Sequence, residues 1–400
     1  MQTHPILVVD DSASYRRLLS RTLERLGFEV LEAEDGEAAL EALHARHDLG
    51  LVVSDWDMPR LDGPGLCTAV RACDFGRYIY LILVTARESS GDLIVGMEAG
   101  ADDFLTKPVD PNELRVRVRA GQRVLDLEAA LAERNRKLIE AHRNIESDLR
   151  AAAELQVSML PPPRIEIDPF VCEWLFVPSA FLSGDMLNVF ELDEDHVAFY
   201  EIDVAGHGVP AAMLSVMVGR QLAKGRSAGG LLRNGTGGAT GARPSGPGDV
   251  VAELNRQFQA DNPDAAYFTM VYGILNKRTG RGELTQAGHT HPIHVGTGTS
   301  ASLLGDGGFP VALLPDREYE SVSFTLAPGE RLYLYSDGVT ECAAPDGALF
   351  GEQRLVEHVL EYRNRSLTSV LTTLEQALRN WRISDDAFAD DVSVLAMERR

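Results

Sequence analysis

Four hundred residues are enough for two or three domains, each burying its own core, so a single fold is not expected. Sixty acidic against 38 basic side chains leave a formal charge of −22, which repels nucleic acid and anionic membrane and favours cations wherever carboxylates gather. No uncharged apolar run reaches the roughly 18 residues of a spanning helix, and MQTHPILVVDD has no basic segment followed by an apolar core, so we expect a cytoplasmic chain with neither nucleic-acid partner nor membrane insertion.

Between residues 6 and 108 short β-rich runs alternate with amphipathic stretches: ILVVDD, FEVLEAED, LGLVVSDWDMP, YIYLILVTA and ADDFLTKP. Five such units predict a doubly wound five-stranded parallel sheet, in which chemistry collects at strand ends near a topological switch point. Those ends carry Asp10, Asp11, Asp55, Thr85 and Lys107. Asp10 and Asp11 with Asp55 suit a hard divalent cation such as Mg²⁺, which takes oxygen ligands. With the cation screening charge, the Asp55 carboxylate can attack a phosphoryl donor; Lys107 contributes a point cation and Thr85 a hydrogen bond to the new phosphoryl group. A flavodoxin-like binding domain without phosphorylation is the plainer alternative.

DD at 10 and 11, DWDMP around Asp55, VTA around Thr85 and KP at 107 and 108 strongly resemble response-regulator receiver domains over residues 1–121. The resemblance implies Asp55 as phospho-acceptor, the Asp57 backbone carbonyl as a further Mg²⁺ ligand, Phe104 at the rotating aromatic position, and a sensor histidine kinase as partner.

Residues 122–160 carry no turn punctuation until PPP at 161–163, and Val124, Leu131, Leu138, Ile145, Ala152 and Met159 recur every seven residues. The companion seam of Leu127, Arg134, Ala141, Asp148 and Leu155 is broken by two charges. A weak coiled coil joining a homodimer is expected, with a single amphipathic helix lying on one domain as the alternative.

From residue 165 the pattern changes to long alternating strands, such as VAFYEIDV, FTMVYGILNKRTGRGELTQAG and RLYLYSD, with helices near 209–223, 249–259 and 351–380. Hairpin-like runs with helices outside predict an α/β sandwich of two antiparallel sheets over residues 161–400. The Gly-, Ser-, Thr- and Pro-rich stretch 224–249 reads as a mobile insertion. The four cysteines form no CxxC pair, which disfavours a zinc site.

Four aspartates stand at strand boundaries here: Asp185 in SGDMLNVF, Asp203 in EIDVAGHG, Asp337 in YSDGVTE and Asp390 in ADDVSVLAM. Carboxylates without His or Cys partners prefer Mg²⁺ or Mn²⁺, and two such cations about 4 Å apart activate water for in-line attack on a phosphate ester. Singly, each aspartate could simply end its strand.

With AELQVSMLP at 153–161, SGD around Asp185, DVAGHGVPAA at 203–212, AGHTHP at 287–292, YSDGVTE at 335–341 and DDVSV at 390–394, the segment is similar to metal-dependent protein phosphatases of the type 2C superfamily, in the bacterial branch named for a sporulation phosphatase. By that resemblance Asp185, Asp203, the Val204 carbonyl, Asp337 and Asp390 hold two Mn²⁺ or Mg²⁺ ions, and Asp391 supports them. The family pattern has a second acid where Asn188 stands, and His207 is offset from the acid histidine of the eukaryotic branch, leaving it a turn or packing role. The resemblance implies a phosphoserine or phosphothreonine substrate on an anti-sigma-factor antagonist. A catalytically weak adaptor that binds a sigma factor or regulatory protein is the competing reading.

Overall fold

The computed structural model describes residues 4–86, 90–224, 230–234, 243–260, 266–382 and 388–400. The chain divides into two compact units, Met1–Asn144 and Ile145–Arg400.

In the first unit, β1 (Ile6–Val9), β2 (Val30–Ala33), β3 (Leu51–Asp55), β4 (Tyr80–Thr85) and β5 (Asp103–Thr106) form one parallel sheet in the order β2-β1-β3-β4-β5. Both faces are covered, so these strands are apolar throughout rather than alternating: Leu7, Val9 and Val52 enter one core, and Ile6, Val8, Leu51 and Val53 the other. The helices are α1 (Ala13–Arg25), α2 (Gly36–Ala45), α3 (Gly63–Ala72), α4 (Ser90–Glu98) and α5 (Pro111–Val157). Carboxylate N-caps start three of them: Asp35 accepts from Ala38 N at 3.0 Å, Asp62 from Gly65 N at 2.8 Å and Asp110 from Glu113 N at 3.2 Å.

The expected linker over 122–160 is not a separate element. It continues α5, whose first turns bury Leu114, Val118 and Leu125 against the sheet. Beyond them the seam residues Leu131, Leu138 and Ile145 are exposed. Among the described residues no helix is long and apolar enough to cross a membrane.

The second unit is a sandwich. One antiparallel sheet, ordered β16-β13-β12-β9-β8, holds β8 (Met186–Glu191), β9 (His196–Val204), β12 (Phe268–Asn276), β13 (Arg281–Ala287) and β16 (Val322–Thr325). The other, ordered β15-β14-β17-β18-β7-β6, holds β6 (Arg164–Ile167), β7 (Phe170–Val177), β14 (Ile293–Val295), β15 (Ala301–Leu303), β17 (Arg331–Tyr335) and β18 (Val392–Arg399). The period of two fixes which face meets which layer. On β18, Leu395 and Met397 join the core shared with the first sheet, whereas Val392, Val394 and Ala396 join the core under α9 (Gly351–Glu361) and α10 (Leu367–Arg382). Helices α6 (Val209–Lys224) and α7 (Pro247–Ala260) pack on the first sheet, and a single turn, α8 (Asp337–Thr340), follows β17.

Two expectations change. The helical stretch foreseen over 351–380 is two helices, because the chain turns at residues 362–366 and Ser366 Oγ then accepts from Ser369 N at 3.2 Å to start α10. Much of the insertion expected at 224–249 lies outside the described residues; its described parts pair as β10 (Arg233–Asn234) and β11 (Arg243–Pro244), and α7 begins within it, at Pro247.

Candidate active site and phospho-acceptor cluster

Strand order reverses at β1 and β3, and the acidic trio gathers there: Asp10 and Asp11 follow β1, Asp55 ends β3, and one ligand oxygen from each lies within 4.8 Å of the others. Asp10 and Asp55 are buried and Asp11 is exposed. Lys107 closes the cluster, its Nζ 2.8 Å from Asp55 Oδ1 and 3.2 Å from Asp10 Oδ2, with the ammonium over the Tyr15 ring. Burial raises the Asp55 pKa and the Asp10 charge adds to it, against the pull of Lys107. Burial works against the Lys107 ammonium, but Asp55 and Asp10 outweigh it and its pKa rises. Thr85 is buried at the end of β4, where its carbonyl accepts from Lys107 N at 2.8 Å. Phe104 packs at the edge of one core, and Asp57 lies two residues past β3 in the exposed turn.

In the second unit the four aspartates come from both sheets. Asp185 precedes β8 and Asp203 lies near the end of β9, in the first sheet; Asp337 follows β17 and Asp390 precedes β18, in the second. Their charges meet. Burial, then the charges of Asp337, Asp390 and Asp391, raise the Asp203 pKa to about 7. Burial and Asp203 hold Asp185 well above the usual carboxylate range, and burial with Asp390 raises Asp337 to about 6. Among the described residues, only the N-terminal trio brings three acidic, histidine or cysteine ligand atoms within 4.8 Å, so this second cluster is more open.

Backbone contacts hold it together. A Cβ on Gly184 would lie 2.9 Å from the Val204 carbonyl oxygen, and one on Gly338 would lie 2.0 Å from that of Asp391; both close approaches therefore need glycine. Asp391 is buried and its carboxylate is consumed by the loop before β8: Oδ1 accepts from Ser179 N at 2.7 Å and Ser179 Oγ at 2.8 Å, and Oδ2 from Gly184 N at 2.7 Å. It positions Asp185 as a brace.

Several contributors were not singled out from the sequence. Gln156 is buried beside the same loop, donating to Ser183 O at 2.6 Å and accepting from Ser183 N at 3.1 Å. It sits in AELQVSMLP, but its partner is 27 residues away. Gln156→Ala strips the buried Ser183 backbone of both partners, at about 1–3 kcal/mol for a buried group left unmade. Calorimetry of the full chain should show a melting transition lowered by several degrees.

Glu201 and His289 are the others. Glu201 shares the Asp203 face of β9, and burial lifts its pKa to about 8, so it keeps its proton at neutral pH. Burial drives the His289 pKa down to about 3; its Nδ1 pairs with Thr269 Oγ1 at 2.8 Å.

His207 is exposed between Gly206 and Gly208, at φ 93° and 80°, in the turn that launches α6. Asn188 lies against the Tyr200 hydroxyl and pairs with Tyr200 across β8 and β9; by alternation it faces away from Asp203, so the missing acid does not open a gap in the cluster. Two clefts, of about 800 and 930 Å³, lie elsewhere and carry none of these aspartates.

Comparison with known proteins agrees with both halves. The family model for stage II sporulation protein E matches residues 193–400, and that for the response regulator receiver domain matches residues 6–119. A probable transcriptional regulator of Porphyridium aerugineum is 43% identical over 126 residues, 32% of this chain and 51% of that one. Chemotaxis protein CheY1 of Helicobacter pylori strain J99 is 40% identical over 111 residues, covering 28% and 90%. The chain thus spans about half the length of the first curated relative it matches. Among solved structures, the SiaA PP2C domain of Pseudomonas aeruginosa superposes with a TM-score of 0.54 at 18% identity, over 65% of this chain and 99% of that one, a likeness of fold.

Proposed function

The chain belongs to the stage II sporulation protein E family and joins a receiver domain to a phosphatase domain of that family; from this premise we propose a two-component response regulator whose phosphorylation at Asp55 controls a metal-dependent serine/threonine protein phosphatase. The observation that carries the phosphatase half is the meeting of Asp185 and Asp203 from one sheet with Asp337 and Asp390 from the other.

The residues fit divalent cations. Asp185 Oδ2 is buried with no hydrogen-bond partner, and the donors are all oxygen, the set that suits Mg²⁺ or Mn²⁺. Asp185, Asp203, the Val204 carbonyl, Asp337 and Asp390 would hold two of them, and Asp10, Asp11, Asp55 and the Asp57 carbonyl would hold one Mg²⁺ at the receiver. When bound, such ions supply Lewis acidity and an activated water. The chain's own part is placement: Asp391 and Gln156 fix the loop carrying Asp185, while the Gly206–Gly208 turn presents Val204 and leads into α6. At the receiver, Lys107 steadies the charge on Asp55, and Thr85 stands ready for the phosphoryl oxygens.

The substrate we infer is a phosphoserine or phosphothreonine on an anti-sigma-factor antagonist, the phosphoryl source for Asp55 a sensor histidine kinase, and the compartment the cytoplasm. The exposed seam of Leu131, Leu138 and Ile145 is the observation behind a homodimer through α5. Sedimentation that finds a monomer, with and without a phosphoryl mimic, would remove the dimer.

Protons compete with metal at this site. Because the metal-free Asp203 and Asp337 titrate near 7 and 6, Mn²⁺ affinity should climb as pH rises through that range, with proton release on binding fading above it. Calorimetry in buffers of different ionisation enthalpy reads both effects. The activity test is release of phosphate from a phosphoserine protein: it should require Mn²⁺ or Mg²⁺ and stop in EDTA. Full activity in chelator would defeat the reading.

A further inference from the structure

The aspartates stand on two different sheets, so the width of the site is set by whatever fixes the spacing between those sheets at this end of the sandwich. Directly behind Asp203 one side chain crosses that gap. Glu201 on β9 accepts at Oε1 from Ser393 Oγ on β18, at 2.7 Å, and both residues are buried. From Ser393 the path runs into the other half of the cluster. Ser393 N donates to Ser336 Oγ at 2.9 Å, Ser336 N donates back to Ser393 O at 3.0 Å, and Ser336 Oγ donates to Asp391 O at 3.0 Å. Ser336 immediately precedes Asp337, and Asp391 follows Asp390. The other Glu201 oxygen has no hydrogen-bond partner and faces His289 Nε2 at 4.0 Å. His289 in turn bonds Thr269, whose hydroxyl reaches the Asp203 carbonyl at 3.5 Å.

The geometry points to Glu201 as a positioning residue that ties the two sheets together beneath the carboxylate cluster, setting how far Asp185 and Asp203 stand from Asp337 and Asp390. This rests on the metal-site reading above and adds a residue to it. Glu201 touches neither substrate nor any reacting atom in this role. Its reach matters and its charge does not, because the contact to Ser393 needs only an acceptor oxygen at the end of a glutamate-length side chain. Gln supplies that oxygen; Ala does not.

The test is Mn²⁺ binding by calorimetry on the full chain, in an Asp10→Asn/Asp11→Asn background so that the receiver cluster does not contribute heat. Glu201→Ala and Ser393→Ala should each weaken Mn²⁺ binding by about tenfold or more, the size typical of supports behind metal ligands. Glu201→Gln should stay within about twofold of the parent, and the double variant Glu201→Ala/Ser393→Ala should be no weaker than Ser393→Ala alone, which removes the Glu201 contact and also the support the Ser393 hydroxyl gives Asp185. Ser393→Ala deletes one hydroxyl, so it keeps the test open if the larger truncation fails to fold. Unchanged affinity in Ser393→Ala, or a loss in Glu201→Gln equal to that in Glu201→Ala, would overturn the tie. A parent that binds no Mn²⁺ would overturn the metal site itself, and the tie with it.

Discussion

Asp203→Asn is expected to lower phosphatase turnover at least about a hundredfold while leaving the fold intact, the scale seen when a group that stabilises charge at the reaction centre is removed. Asp203 is the residue whose carboxyl responds to Asp337, Asp390 and Asp391 together, and Asn keeps its shape but not its charge. A second consequence separates this cause from simple damage. Its folded pKa of about 7 lies above the ordinary aspartate value of 3.8, so the metal-free fold binds this proton more tightly than the unfolded chain does. Stability from this group is therefore full below about 4 and is lost as pH rises towards 7. In EDTA the variant should match the parent below about pH 4 and melt at a higher temperature near pH 8, where the parent confines an ionised carboxylate among like charges. Equal destabilisation at both pH values would instead mean a packing defect.

Asp55→Asn should abolish phosphoryl incorporation from acetyl phosphate and Mg²⁺, and with it any change in phosphatase rate on adding that donor. The nucleophile is lost outright, since an amide cannot form the acyl phosphate, and the trio that would hold Mg²⁺ loses one of its three charges. In the parent the same donor should shift the rate by roughly 5- to 150-fold, the range of ordinary coupling free energies of about 1–3 kcal/mol. Intact-protein mass spectrometry reads the incorporation. A phosphorylated Asp55→Asn chain would place the acceptor elsewhere.

Much of this is legible in the sequence. Apolar runs that end on Asp10, Asp55, Thr85 and Lys107 are the edges of a parallel sheet, and the order of the sheet then brings them together. The second cluster was legible as motifs, because each aspartate stands at a strand boundary, Asp185 and Asp390 before a strand and Asp203 and Asp337 at or after the end of one. What the sequence left hidden depends on contacts distant along the chain. Gln156 looks like one more polar residue on a helix until Ser183 is seen beside it, and Asp391 gives no sign that its carboxylate is used up by Ser179 and Gly184. The break between α9 and α10 was masked by apolar periodicity running on from Leu355 to Leu378. Glu201 did leave a signal: an acid two residues from Asp203 on the same face of an apolar strand must be buried, and a buried acid needs a partner.

The most direct test of the whole proposal measures phosphate release from a phosphoserine protein by the full chain in Mn²⁺, before and after acetyl phosphate, with Asp55→Asn and Asp203→Asn alongside. The expected result is release in the parent that changes severalfold with the donor, release in Asp55→Asn that ignores the donor, and negligible release in Asp203→Asn. Release that persists in Asp203→Asn, or a donor effect that survives Asp55→Asn, would contradict it.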